Sequence, residues 1–151
     1  PMGGTLLIKD NNPSFLVWAI SDPLGAPLQR IQIVKGWIEE GEHREKVYDV
    51  ACSNGLTVDP ITNRCPDNGA RVDLKNCSTT GPGDKEMKVI WQDPDFLENQ
   101  EAFYYSRVLE NPVCRWSTWD SVREGVEPRS DIPATIQERA WSSPIWFKPT
   151  L

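Results

Sequence analysis

Hydrophobic and polar positions alternate along this chain in short runs, and turn-forming residues separate the runs. FLVWAI (15–20) departs from the alternation. It is continuously apolar, the pattern of a strand covered on both faces, and Asp22-Pro23-Leu24-Gly25 predicts the turn that ends it. RIQIVKGWI (30–38) sets Ile31 and Ile33 on one face and Arg30 and Gln32 on the other. Glu39-Glu40-Gly41-Glu42 predicts a hairpin tip, and KVYDVA (46–51) the returning strand. MKVIWQ (87–92), AFYYSRVLE (102–110), CRWSTWD (114–120) and AWSSPIWF (140–147) predict further strands from their β-branched and aromatic content. Helix is expected only as a turn or two at WDSVREG, where Gly125 supplies a left-handed stop, and near PATIQER, where Pro133 suits a first helical position.

Seven or more such strands, with 13 Pro and 10 Gly between them, predict an all-β antiparallel sandwich, immunoglobulin-like or similar, with long loops and one or two short helices. DPDFLENQEAFYYSRV runs a turn-rich loop into Tyr104 and Tyr105, which resembles the tyrosine corner of such sandwiches. The length suits one domain over residues 1–151. The chain opens Pro1-Met2 rather than with an initiator Met, so a piece of a longer protein is expected.

Charge narrows the partners. A net charge of -6 with no concentrated Lys/Arg stripe gives nothing to neutralise nucleic-acid phosphates or an anionic membrane, and no apolar run is long enough to span a bilayer. Seven tryptophans are many for this length. Most are expected in the core, with one or two of Trp37, Trp116 and Trp119 available as exposed platforms.

Cys52, Cys65, Cys77 and Cys114 are even in number, and the first three lie in one loop-rich region, which predicts disulfides and an oxidising compartment, periplasmic or secreted. A zinc site lacks its CxxC pairs. Three pairings are possible. Cys52 with Cys65 and Cys77 with Cys114 is preferred, because the first closes a local loop and the second ties that region to a later strand.

Self-contained chemistry is hard to find. His43 is the single histidine and sits in the polar stretch GEHREK, as a solvated residue beside a hairpin tip. No GxSxG elbow exists, TTGPGDKE lacks the phosphate-loop spacing, and Asp59, Asp67 and Asp73 do not match a calcium loop. Asn76-Cys77-Ser78 is a formal glycosylation sequon. No catalytic residue, metal site or cofactor is expected in this chain.

The phrases PMGG, FLVWAISDPLGAPLQRIQIVKGW, EKVYDVACS, WQDPDF, AFYYSRVLENPVCRWSTWD and IQERAWSSPIWF together resemble, in order, the C-terminal part of a bacterial family catalogued as domain of unknown function 3604. That family looks like metal-dependent hydrolases of the PHP and amidohydrolase type, whose N-terminal barrel supplies the ligands of a divalent metal. The resemblance implies that this chain is the β-rich domain following the barrel, without the catalytic centre. It also implies a continuation upstream of Pro1, through another strand of the same sandwich. The expected partner is the protein's own catalytic domain, and Lys35, Trp37, Gln137, Glu138 and Arg139 are the residues expected to face it or the rim of its active site. A carbohydrate- or ligand-binding module is the alternative, marked by coplanar exposed tryptophans. An independent enzyme is the weakest.

Overall fold

A computed structural model describes residues 1–8 and 12–149. Its long elements follow the alternation closely. β1 (Thr5–Ile8) and β2 (Ser14–Ile20) precede β3 (Leu28–Glu39) and β4 (Glu42–Cys52). Glu40 and Gly41, both at positive φ (52° and 81°), make the two-residue turn between β3 and β4, and Glu39 faces Glu42 across it. β5 (Arg71–Asp73) and β6 (Ser78–Thr80) form a small ribbon, followed by β7 (Glu86–Gln92) and β8 (Ala102–Glu110). β9 (Val113–Cys114), α1 (Trp116–Glu124), β10 (Thr135–Ile136), β11 (Arg139–Trp141) and β12 (Ile145–Pro149) complete the order.

Two layers result. The main sheet runs β1-β12-β8-β3-β4, with β11 pairing β8 beyond β12; every pairing is antiparallel except β1 with β12. Among the described residues the second layer is β2 and β7, antiparallel in an unbroken seven-residue register, lying over β3 and β4. Between the layers pack Phe15, Ile33, Tyr104 and Phe147 in one cluster and Leu28, Ile31 and Met87 in another. The architecture is the expected all-β, sandwich-like one.

The polar face of β3 is present but not solvated. Arg30, Gln32, Arg64 and the amide of Cys65 all converge on Asp49, whose side chain is fully buried, with Gln32 Nε2 at 2.6 Å and Cys65 N at 2.7 Å. The Cys52–Cys65 disulfide folds the intervening loop onto this face. The Cys77–Cys114 disulfide, both sulfurs buried, ties the β6 ribbon to β9. The preferred pairing is therefore the one formed.

Three local expectations change. CRWSTWD divides after Cys114, and the helix begins at Trp116; Gly125 ends it at φ 66° as expected. PATIQER is not helical: Thr135 and Ile136 pair with Cys114 and Val113. AWSSPIWF breaks at Ser142-Ser143-Pro144, because Pro144 has no N–H for a ladder; Ser142 instead bridges to β8, its N donating to Ser106 O and its Oγ accepting from Ser106 N. The tyrosine-corner resemblance has its own form, Tyr104 OH reaching back to the carboxylate of Asp93 at 2.8 Å.

Candidate interaction surface

The run FLVWAI is covered on one face only. Phe15, Val17 and Ala19 turn inward, while Leu16, Trp18 and Ile20 of β2 and Ile90 of β7 turn outward, 69%, 64%, 70% and 71% exposed. Leu16 stands directly across from Ile90, and Lys88 and Glu86 flank the stripe opposite Trp18 and Ile20. Each of these four withholds roughly 1–2 kcal/mol of transfer free energy that burial would realise. Aligned exposed apolar side chains are a common feature of contact surfaces.

Beside the free edge of β2 the second layer stops, and the inner face of β8 is left half-covered. Two cavities of about 160 and 420 Å³ adjoin there. Val17 and Trp18 wall both, Ser106 and Ser142 lie in both, and Met2 is common to them. The larger one runs to Glu110, Glu138 and Arg139. Burial raises the pKa of Glu110 despite a backbone hydrogen bond from Ala26, and the neighbouring charges of Glu138 and Asp22 push it further up.

The expected site residues separate into two places. Glu138 and Arg139 are exposed at the trough end, where the Glu138 carbonyl accepts from Glu110 N at 3.0 Å. Arg139 donates to Gln137 O at 3.4 Å, and no ion pair to it occurs among the described residues. Gln137 is an internal strap, its amide donating to Gln29 Oε1 and Glu110 O, each at 2.9 Å. Lys35 and Trp37 lie elsewhere. Lys35 pairs with Tyr104 and Arg139 with Leu109, five residues along β8, roughly 17 Å apart.

Lys35 is a core residue. Its Nζ stands 2.6 Å from Asp93 Oδ2, donates to Asp95 O at 2.8 Å and lies over the rings of Trp37 and Tyr104. Asp95 Oδ2 takes hydrogen bonds from Lys46 Nζ and Tyr48 OH, each at 2.5 Å, which lower its pKa against the effect of burial. Tyr48 and Tyr104 are pushed well above the phenol range, first by burial, so both act as hydroxyl donors. The sequence reading missed Asp93 and Asp95. A lysine on the same face of β3 as Ile31 and Ile33 was the available signal, since a buried cation needs a carboxylate.

The tryptophans depart most from expectation. Trp18, Trp116, Trp119, Trp141 and Trp146 are exposed, and Trp37 and Trp91 are half-buried, so most are not core. Trp18 stands on the outer face of β2, Trp116 and Trp119 on α1, and Trp141 and Trp146 on β11 and β12 at the side of the main sheet, where the layers cover only one face.

Among the described residues no three His, Cys, Asp or Glu side chains stand together as metal ligands. Asp59 caps its own turn through the amides of Ile61 and Thr62, and Asp67, its pKa lowered to about 2, pairs with Arg71. His43 lies exposed on β4, across from Ile38. No helix among the described residues is long and apolar enough to cross a membrane.

These features define a disulfide-stapled, sandwich-like β-domain with an exposed apolar stripe. Residues 1–149 match the family described as "Protein of unknown function (DUF3604)", and the chain belongs to that family. No curated protein and no solved structure matches the chain.

Proposed function

We propose that this chain is a non-catalytic accessory β-domain of a bacterial, periplasmic or secreted protein, and that it packs through the outer face of β2 and β7 against a catalytic barrel. The resemblance to metal-dependent hydrolases of the PHP and amidohydrolase type supplies the nature of that barrel and its divalent metal. The observation that carries the reading is the aligned exposure of Leu16, Trp18, Ile20 and Ile90. The two disulfides support an oxidising location. Calorimetry of the longer natural protein tests it. Leu16→Lys with Trp18→Lys is expected to split one cooperative melting transition into two; an unsplit transition with an unchanged midpoint overturns the reading.

A ligand-binding role has one observation in its favour. On the outer face of the main sheet, Trp146, Phe103, Gly36 and Glu45 form a single cross-strand row, with Phe103 and Trp146 centroids 5.3 Å apart and Phe103 lying over Gly36. Sugar rings stack on such aromatic surfaces. Retardation of the chain in gels containing soluble xylan or β-glucan, abolished by Trp146→Ala, is the outcome this second reading requires.

A further inference from the structure

Edge strands of soluble proteins are guarded by charge, proline, bulges or shortness, because their unpaired N–H and C=O groups template pairing with another chain. The other borders of this structure are guarded. β4 carries Glu42, Arg44, Glu45 and Lys46, β7 carries Glu86 and Lys88, and β1 is four residues long. β2 is seven residues long, SFLVWAI, without a charge, a proline or a break in register. Its unguarded edge borders the trough, and below that trough the main sheet continues through β8, β11 and the start of β12, where no strand among the described residues lies over it.

We propose that the trough receives an extended segment from another part of the longer polypeptide, which pairs with the free edge of β2 and completes the second layer. Its inward side chains, at alternate positions, are apolar and lie over Ser106, Val108 and Ile145. At the end near Glu110 it carries a Lys or Arg. This rests on the accessory-domain reading and narrows it from a face to a strand.

Three features select this occupant. The first is the floor, where the half-buried inner residues of β8 lack the cover that β2 and β7 give to β3 and β4. The second is charge. Asp22, Glu110 and Glu138 crowd one end of the trough, and Arg139 is the single cation among the described residues of the cavity lining there. A cation on the incoming strand offsets the excess. The third is access, since Met2 lines both cavities and polypeptide leading into Pro1 has a short path to the edge. A second copy presenting its own β2 does not serve: Phe15 and Val17 of that copy are already packed on its own main sheet, which would occupy the space that β8 and β11 fill here.

Residue-resolved hydrogen exchange tests the proposal, comparing the longer natural protein with the 151-residue chain. Acrylamide quenching of Trp18 is followed in parallel, with the other tryptophans replaced by Phe. Within 14–20, the amides that point away from β7 are expected to exchange at least about 100-fold more slowly in the longer protein, while those bonded to β7 change little. If Trp18 becomes shielded but the outward amides exchange equally fast in both, the strand proposal is overturned and the packing reading stands. If Trp18 stays open and the amides stay fast, both fall. Slow outward amides in the isolated chain, with a dimer by light scattering, overturn the proposal in favour of a second copy.

Discussion

Lys35 Nζ and Asp93 Oδ2 lie 2.6 Å apart with both side chains closed off from solvent, in the middle of a strand whose other inward residues are apolar. Asp93 also receives Tyr104 OH and the Asp95 amide, so its carboxylate is held by three donors. The pair organises the hairpin end of the sandwich by tying β3, β8 and the loop after β7 to one point.

Removing one partner strands the other charge in the interior. Lys35→Met or Asp93→Leu alone is expected to cost about 3–5 kcal/mol, and the double substitution distinctly less than the sum. Urea denaturation of the three variants measures the coupling; additive losses would contradict it.

The disulfides differ in access. Cys77 and Cys114 are buried, whereas Cys52 and Cys65 are half-buried at the sheet border. Stepwise dithiothreitol treatment with alkylation and mass analysis is expected to show Cys52–Cys65 reduced first. Loss of the bridges, spanning 13 and 37 residues, is expected to cost about 3 and about 4 kcal/mol in turn.

Gly36 has no Cβ because the Phe103 ring occupies that place. Gly36→Ala is expected to destabilise by about 1–3 kcal/mol. Phe103→Leu should remove most of the penalty of the Ala substitution when the two are combined, a non-additivity that thermal denaturation reads directly.

Burial is the chief cause that raises the pKa of Glu110 above its ordinary value in the fold. The folded state then holds this proton more tightly than the unfolded chain, so its contribution to stability is greatest at low pH and falls as pH rises from about 4.3 through the folded value. Glu110→Gln cannot ionise and escapes that fall. It is expected to match the parent protein at pH 4 and exceed it at pH 8, by under ~1 kcal/mol because the group is partly screened by solvent. Equal stability at both pH values would contradict the assignment.

Much of the fold was legible because its long strands are amphipathic and its turns are chemically explicit. Ile31 and Ile33 alternating with polar neighbours, and Glu40-Gly41 at the tip, leave little choice of register. The cysteine spacing favoured one pairing, a local loop closed by Cys52–Cys65 and a tie from Cys77 to a later strand at Cys114. What escaped depended on relations between distant segments. The inward Lys35 gave no hint that its counter-ion lies 58 residues on, at Asp93. FLVWAI reads as doubly covered because composition records the burial a strand is made for, whereas the described residues cover one face of it. Ser142-Ser143-Pro144 divides an aromatic run in two for a backbone reason that its β propensity conceals.

The parallel pairing of β1 with β12, Thr5 beside Trp146, carries a mechanical consequence. Tension pulling the two ends of the chain apart would run along these strands and load their hydrogen bonds in shear, so that they yield together instead of unzipping singly. Beyond that rupture the chain could lengthen only outside the covalent loops closed by Cys52–Cys65 and Cys77–Cys114. The second loop encloses β7 and β8, leaving the middle of the sandwich tethered under load.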